Sequence, residues 1–259
     1  MNPRAWLGVV ALLAAGSLAC GGASRPVIRV AAAADLRFAF EVLAPAYEQA
    51  CRCRVVLSFG SSGRLSNQIA EGLQVDVFAS ADAGYVEALA RKGLILEGTQ
   101  EAYAQGRIVL AVAAGSSLAP GEPADLSSPQ VRKISIANPE HAPYGLAAKQ
   151  ALKRLGLWEQ LRPRLVLGEN ASIAAQYIET GDADAGIIPL SLAIQRRDAL
   201  RYVLIDGSLH APLLQVAAVI RTTREPALAK GFIGFINGAP GRAVMREYGF
   251  ILPGELAQQ

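Results

Sequence analysis

An apolar, strand-like run, Arg54-Val55-Val56-Leu57, leads directly into Ser58-Phe59-Gly60-Ser61-Ser62-Gly63. A helix-like run, Arg64-Leu65-Ser66-Asn67-Gln68-Ile69-Ala70, follows at once. Strand, small-residue turn and helix start, in that order, commit this part of the chain to an α/β unit with its turn at a strand end. The same order holds anions. The first N–H groups of a helix have no intrahelical acceptor, and the helix dipole leaves partial positive charge there. Glycines admit a ligand close to the backbone and serine hydroxyls add donors. A plainer reading stands beside this one: Ser62 as a simple N-cap and Gly60 as a turn glycine.

The rest of the chain repeats the alternation. Strand-like runs fall at 27–33, 55–59, 76–79, 108–113, 134–137, 165–167 and 185–188, with two more at 202–205 and 214–220. Helical runs lie between them, at 36–50, 64–72, 85–92, 144–155, 172–179, 225–236 and 241–248. The first of these presents Leu36, Phe40, Leu43, Ala44 and Tyr47 on one face. Regular alternation predicts an α/β fold with mostly parallel crossovers. Two long apolar strands, near Ile108 and near Val216, can carry the chain out of one lobe and back. The predicted division is therefore residues 26–108 with 217–259 in lobe I and 109–216 in lobe II. A double connection of this kind is hinge architecture, with a ligand cleft between the lobes.

The N-terminus reads as an export signal over residues 1–19. Arg4 is its basic residue, 6–15 its apolar run, and Gly16-Ser17-Leu18-Ala19 the small residues before a cleavage point. The run is too short to span a bilayer. Cys20, followed by Gly21-Gly22-Ala23-Ser24, resembles a bacterial lipoprotein junction with a tether over 20–25, although Ser17 stands where that pattern favours leucine. The expectation is an exported protein, periplasmic or on the outer membrane face, anchored through a lipid on Cys20; secretion with cleavage near Ala19 is the alternative. Charged residues make up 18% and the net charge is +3, so no strongly charged partner is implied and nucleic-acid binding is not expected. Cys51 and Cys53 can pair in an oxidising compartment. On an extended strand, however, residues i and i+2 are about 6.5–7 Å apart at Cα, near the disulfide limit, and a free or turn-strained pair is the alternative.

Ligands of open α/β sheets bind beyond the carboxyl ends of strands. The junctions there contain Asp35; Ser61 and Ser62; Asn138 to Gly145; Gly168 to Ser172; and Pro189 to Ser191. They carry hydroxyls, glycines and helix starts but almost no Lys or Arg, a composition for holding a small anion with neutral dipoles.

Taken in order, these segments resemble the periplasmic molybdate-binding proteins of ABC importers. Val30-Ala31-Ala32-Ala33-Ala34-Asp35-Leu36 resembles the family's V-x-A-A-A-S-L. Ser58-Phe59-Gly60-Ser61-Ser62 resembles S-F-[AG]-[SA]-[ST], and Asp76-Val77-Phe78-Ala79-Ser80-Ala81-Asp82 resembles D-[VL]-F-[IAL]-S-A-D. Asn138-Pro139-Glu140-His141-Ala142-Pro143-Tyr144-Gly145 resembles [DN]-P-x-H-x-P-x-G. Gly168-Glu169-Asn170 and Tyr248-Gly249-Phe250 resemble its G-E-[DN] and Y-G-F. The resemblance implies a two-lobed periplasmic-binding-protein fold of type II, with mixed sheets flanked by helices. It also implies a monomeric solute-binding protein rather than an enzyme, without a cofactor, which binds molybdate or tungstate by hydrogen bonds and hands it to a permease. By position it implies oxyanion contacts at Asp35, Ser62, Tyr144, Ala171 and Pro189. Ser62, Tyr144 and Ala171 would touch the oxygens of the anion, not the metal.

Two positions depart from the pattern. Pro189 stands where several members have a ligand tyrosine, a role Tyr144 can take over. Asp35 stands at a hydroxyl or amide position, and a carboxylate about 4 Å from a dianion costs several kcal/mol at an effective dielectric near 20. The expectation is that Asp35 caps the helix that follows, its oxygens turned onto the N–H groups of 36–41. Otherwise the ligand is not a plain tetrahedral dianion, or the carboxyl is protonated when it binds. Asp82 is expected as a helix cap, His141 and His210 as turn and surface residues, Arg37 and Arg64 as solvated, and Trp158 as core. The competing functions are binding of another small oxyanion, such as sulfate or phosphate, and an exported hydrolase with Ser62 as nucleophile. The latter lacks a G-x-S-x-G elbow.

Overall fold

The computed structural model describes residues 25–255. The expected signal peptide and Cys20 lie outside the described residues. In chain order the strands are β1 (Val27–Ala33), β2 (Arg54–Gly60), β3 (Val77–Ser80), β4 (Glu101–Gly106), β5 (Ile108–Ala113), β6 (Ile134–Ala137), β7 (Leu165–Gly168), β8 (Ala185–Pro189), β9 (Leu200–Leu204) and β10 (Leu213–Val219). The helices are α1 (Arg37–Cys51), α2 (Ser62–Ala70), α3 (Ala83–Arg91), α4 (Pro143–Arg154), α5 (Trp158–Leu161), α6 (Ala171–Glu179), α7 (Leu190–Gln195), α8 (Pro226–Asn237) and α9 (Ala239–Glu247).

The strands form two five-stranded sheets, ordered β2-β1-β3-β10-β4 and β7-β6-β8-β5-β9. Each is mixed for the same reason. The βα units pair in parallel, β1 with β2 and β3, and β6 with β7 and β8. The strands next to the crossing points, β10 and β5, run antiparallel to their neighbours. The chain is an α/β protein of two lobes. It leaves the first sheet at Gly106 and enters the second at Ile108, with only Arg107 between, and the return strand β10 joins the first sheet from Leu213, paired with Gly106.

Local sequence explains most elements. The first strand ends in three alanines, residues that favour helix, yet Ala31 to Ala33 are 0–3% exposed because the sheet is covered on both faces. Helix α1 buries the expected stripe of Phe40, Leu43, Ala44 and Tyr47. Phe40 and Tyr47 meet Phe232 of α8 edge-on, at centroid distances of 5.6 and 5.4 Å. Trp158 is buried, as expected; it follows α4 and starts the short helix α5.

Two features differ from the sequence expectation. The strand expected at 108–113 forms as β5, but a further strand, β4, precedes it and was not expected, because Glu-Ala-Tyr-Ala-Gln-Gly lacks the β-branched signature that would have announced it. Cys51 and Cys53 are disulfide-bonded. They do not sit on an extended strand: α1 runs to Cys51, and Arg52 turns the chain through the left-handed region at φ 55. That turn brings the two Cα atoms to 5.2 Å.

Candidate anion site between the lobes

Three helices of the chain begin at one small cavity. Ser62 starts α2 in the first lobe; Pro143 and Tyr144 start α4, and Ala171 starts α6, in the second. All of them line the cavity, together with Ala33 to Asp35, Gly60, Ser61, Ala81 and Ala142. The cavity is only about 10 Å³, far too small for a sugar or a peptide. No lysine, arginine or histidine lines it. Helix starts supply its donors: backbone N–H groups there have no intrahelical acceptor, and the dipoles favour an anion.

Each wall is held so that donors are left over. At α2 the N-cap position is Ser61, whose side chain caps nothing, and Ser62 is the first helical residue. The simple N-cap reading of Ser62 therefore fails. Fully buried, the Ser62 Oγ accepts the Ala81 N–H at 3.0 Å, which leaves its hydroxyl proton to donate. At α6 the Asn170 Oδ1 accepts from the N–H groups of Ser172 and Ile173 at 2.9 and 3.2 Å. The N–H of Ala171, one residue earlier, is not engaged by that cap. At α4 the proline at the first position costs no hydrogen bond.

Asp35 is 2% exposed and lines the same cavity. It is not a helix cap. It lies inside a 3-10 turn, Ala34–Leu36, and α1 begins only at Arg37 with no side-chain cap. Its Oδ2 instead accepts from the Tyr144 hydroxyl at 2.8 Å and the Gln215 amide at 2.6 Å. Those tertiary donors reach the carboxylate where the local N–H groups do not. Burial lifts the Asp35 carboxyl to about 6, although the hydrogen bonds from Gln215 and Tyr144 pull the other way. Burial first, and then the Asp35 charge, raises the Tyr144 hydroxyl well above its usual range. Oδ1 of Asp35 and Oε1 of Gln215 are buried without a protein partner.

The lobes also meet around this cavity. Ser172 and Ser191, from α6 and α7, donate to the carbonyls of Ala34 and Asp35 at 3.2 and 2.8 Å. The Gly63 N–H donates to the His141 carbonyl at 2.9 Å. His141 is more than a turn residue: its Nδ1 lies 2.8 Å from Ser61 Oγ. Burial, and then the charge of Arg64, lowers its pKa. Arg64 forms an exposed ion pair with Glu169 at 3.0 Å, and Arg37 pairs with Glu41 and lies over the Phe59 ring. Asp82 caps α3 as expected, accepting the Gly84 N–H at 2.7 Å.

Of the residues singled out in the sequence, Asp35, Ser62, Tyr144 and Ala171 come together and Pro189 does not. Pro189 ends β8, paired with Ile108, and is absent from the cavity wall. Sequence reasoning missed Gln215 and Gly106. A lone amide inside the apolar run 213–220 was the available signal, since a buried polar side chain needs a partner. Ser62 has no histidine partner, as its Oγ is bonded to a backbone N–H and the nearest imidazole serves Ser61. The pairing of a Ser62 nucleophile with a histidine base, which the hydrolase reading requires, is not assembled.

The family model for bacterial extracellular solute-binding proteins matches residues 28–251. The molybdate-binding protein ModA of Azotobacter vinelandii is 31% identical over 244 residues, 93% of this chain and 96% of that protein. ModA of Rhodobacter capsulatus is 30% identical, covering 76% of this chain and 77% of its own. The solved structure of the Azotobacter vinelandii periplasmic molybdate-binding protein superposes with a TM-score of 0.82 at 32% identity, over 87% of this chain and 99% of that one. Matched by that model over residues 28–251 and by these relatives over most of its length, the chain belongs to the family of bacterial extracellular solute-binding proteins.

Proposed function

We propose that this protein binds molybdate, and also tungstate, in the cavity between its lobes and delivers the anion to the permease of an ABC importer. The observation that carries the reading is the convergence of three helix N-termini on a cavity without cationic side chains. Neutral donors in a desolvated site hold a compact anion and release it without breaking ion pairs. The names of the relatives narrow the anion to molybdate. In this reading Ser62 donates its hydroxyl and its N–H, and Tyr144 and Ala171 donate N–H groups from the other lobe. Residues 26–108 with 217–259 move as one lobe against 109–216 as the other. The protein acts as a monomer outside the cytoplasmic membrane, tethered by a lipid on Cys20.

A thermal-shift and calorimetry panel of molybdate, tungstate, sulfate, phosphate and chromate tests this. A ligand that binds only the folded state stabilises it by about 2.7 kcal/mol at a hundredfold excess over its Kd. Molybdate and tungstate are expected to raise the Tm and sulfate to leave it nearly unchanged, because the smaller anion cannot reach donors on both lobes at once. Equal shifts for sulfate and molybdate would make the protein a general anion binder. Ser62→Ala is expected to weaken molybdate binding by about 1.5–3 kcal/mol, the range for a hydrogen bond to a charged group. The fold survives, but the buried Ala81 N–H loses its acceptor, and the ligand-free protein is expected to lose about 1–3 kcal/mol of stability. A variant with wild-type affinity removes Ser62 from the site.

A further inference from the structure

We propose that Asp35 carries a proton in the ligand-bound protein and donates it from Oδ1 to an oxygen of the bound oxyanion, so that the ligand is taken up together with one proton. This rests on the oxyanion-binding reading above and assigns the one acidic residue of the cavity a role in it.

The geometry divides the carboxyl into two unlike oxygens. Oδ2 is fully occupied by the Tyr144 hydroxyl and the Gln215 amide. Oδ1 is buried and has no protein partner, while Asp35 forms part of the cavity wall. An ionised Oδ1 there would face a dianion across a few ångströms of desolvated space. For charges about 4 Å apart at an effective dielectric near 20, repulsion costs about a thousandfold in affinity for each unit of ligand charge. A protonated Oδ1 reverses the sign of that contact, because the neutral carboxyl becomes a donor. The carboxyl of the ligand-free structure already stands at about 6, so protonating it at pH 7.5 costs only about thirtyfold. The proton comes from solvent and no other bond changes. Its release on ligand departure restores the carboxylate.

No neighbouring group supplies a countercharge instead. Asp35 is faced by Tyr144 on α4, Gln215 on β10, and Tyr103 on β4, whose hydroxyl pKa is raised by burial and then by the Asp35 charge. Ser191 of α7 and Ser172 of α6 bind the carbonyls of the same turn. The arginines that begin the flanking helices are engaged elsewhere, Arg37 with Glu41 and Arg64 with Glu169. His141 sits at Ser61, and its lowered pKa leaves it neutral above its ordinary value of 6.5. Between about pH 6.5 and 8.5, Asp35 is therefore the group in the cavity whose protonation the ligand changes.

Calorimetric titration with sodium molybdate at about pH 6.5, 7.5 and 8.5, each in two buffers of different ionisation enthalpy, tests the proposal, since molybdate stays a simple dianion throughout. The wild-type protein is expected to take up close to one proton at the two higher values, with Kd weakening toward tenfold per pH unit. Asp35→Asn, whose amide supplies a donor without a titration, is expected to bind with a pH-independent Kd and no proton uptake. Molybdate binding by the wild type with no proton uptake and a flat Kd overturns the proposal and leaves the oxyanion reading intact. So does persistence of the wild-type uptake in Asp35→Asn. Failure of molybdate to bind the wild type at any of these pH values overturns both. If Asp35→Asn does not fold, the wild-type proton count still decides.

Discussion

Gly145→Ala is expected to destabilise the protein by about 3 kcal/mol, at the upper end of the usual cost of overpacking. Gly145 lies in the first turn of α4, where the helix passes over the end of β6. A Cβ there would overlap the carbonyl oxygen of Ala137 and press on the carbonyl carbon of Asn138 at 2.9 Å. Both obstacles are backbone, and neither is free to yield. Ala137 is held in register with Gly168 of β7, and the Asn138 N–H donates to the Gly168 carbonyl at 2.8 Å. The φ of Gly145 is not in the left-handed region, so the cost is steric crowding rather than backbone strain. Relief would require α4 to lift from its sheet, carrying Tyr144 away from Asp35. Urea unfolding measures the loss, and Gly207→Ala is the control, since a Cβ at that position meets nothing within 4 Å. The control is expected to stay within about 0.5 kcal/mol of wild type. A Gly145→Ala protein within that same margin would show that the β6–α4 junction is looser than its hydrogen bonds indicate.

What could be read from the sequence at this junction, and what could not, follows the range of the forces. The strand before it and the helix after it announce themselves through periods of 2 and 3.6, which are local. So does the proline at the first helical position. The loops 58–63 and 138–145 were recognisable as strand-end turns before helices, and both reach the cavity. Three of the four residues that meet there, Ser62, Tyr144 and Ala171, stand at or next to helix starts, and helix starts are legible.

Asp35 was misread because its local environment favoured a cap, while its partners Tyr144 and Gln215 are 109 and 180 residues away in the chain. No local preference encodes a hydrogen bond of that span. Gly106 is the same problem in steric form. It lacks a side chain because the Tyr144 hydroxyl and the Gln215 amide occupy the space a Cβ would need, and from the sequence it was only the start of an apolar strand. Pro189 was placed by position in a resemblance, and β8 carries it to the Ile108 pairing instead of the cavity. The disulfide was left open because the strand geometry assumed for Cys51 to Cys53 fails at one residue, Arg52. For Asp35 and Gly106 the missing information was tertiary, two lobes folding their separate signals onto each other; for the disulfide it was one local turn at Arg52.

In the proposed function the lobes close over the anion, and Gly63→Ala is expected to block that closure. Gly63 is the second residue of α2, and its N–H donates to the His141 carbonyl of the other lobe at 2.9 Å. A Cβ on Gly63 would stand 2.7 Å from that oxygen and 3.0 Å from the His141 Cα. It would also stand 3.0 Å from the Tyr85 hydroxyl, the far end of a side chain on its own lobe. The two backbone obstacles belong to the second lobe and recede when the lobes part. The first lobe therefore folds with the alanine, and the Tm of the ligand-free protein is expected to move little. The closed state does not form without displacing His141. The anion then keeps Ser62 but loses donors from Tyr144 and Ala171. Two hydrogen bonds to a charged group are together worth about 3 kcal/mol or more, so the Kd for molybdate is expected to weaken at least about a hundredfold. Small-angle scattering supplies the structural readout: molybdate should compact the wild-type protein and leave Gly63→Ala extended at the same saturation. A variant that binds with wild-type affinity and compacts normally would mean that His141 gives way at little cost. The second lobe would then reach the anion without the Gly63 contact.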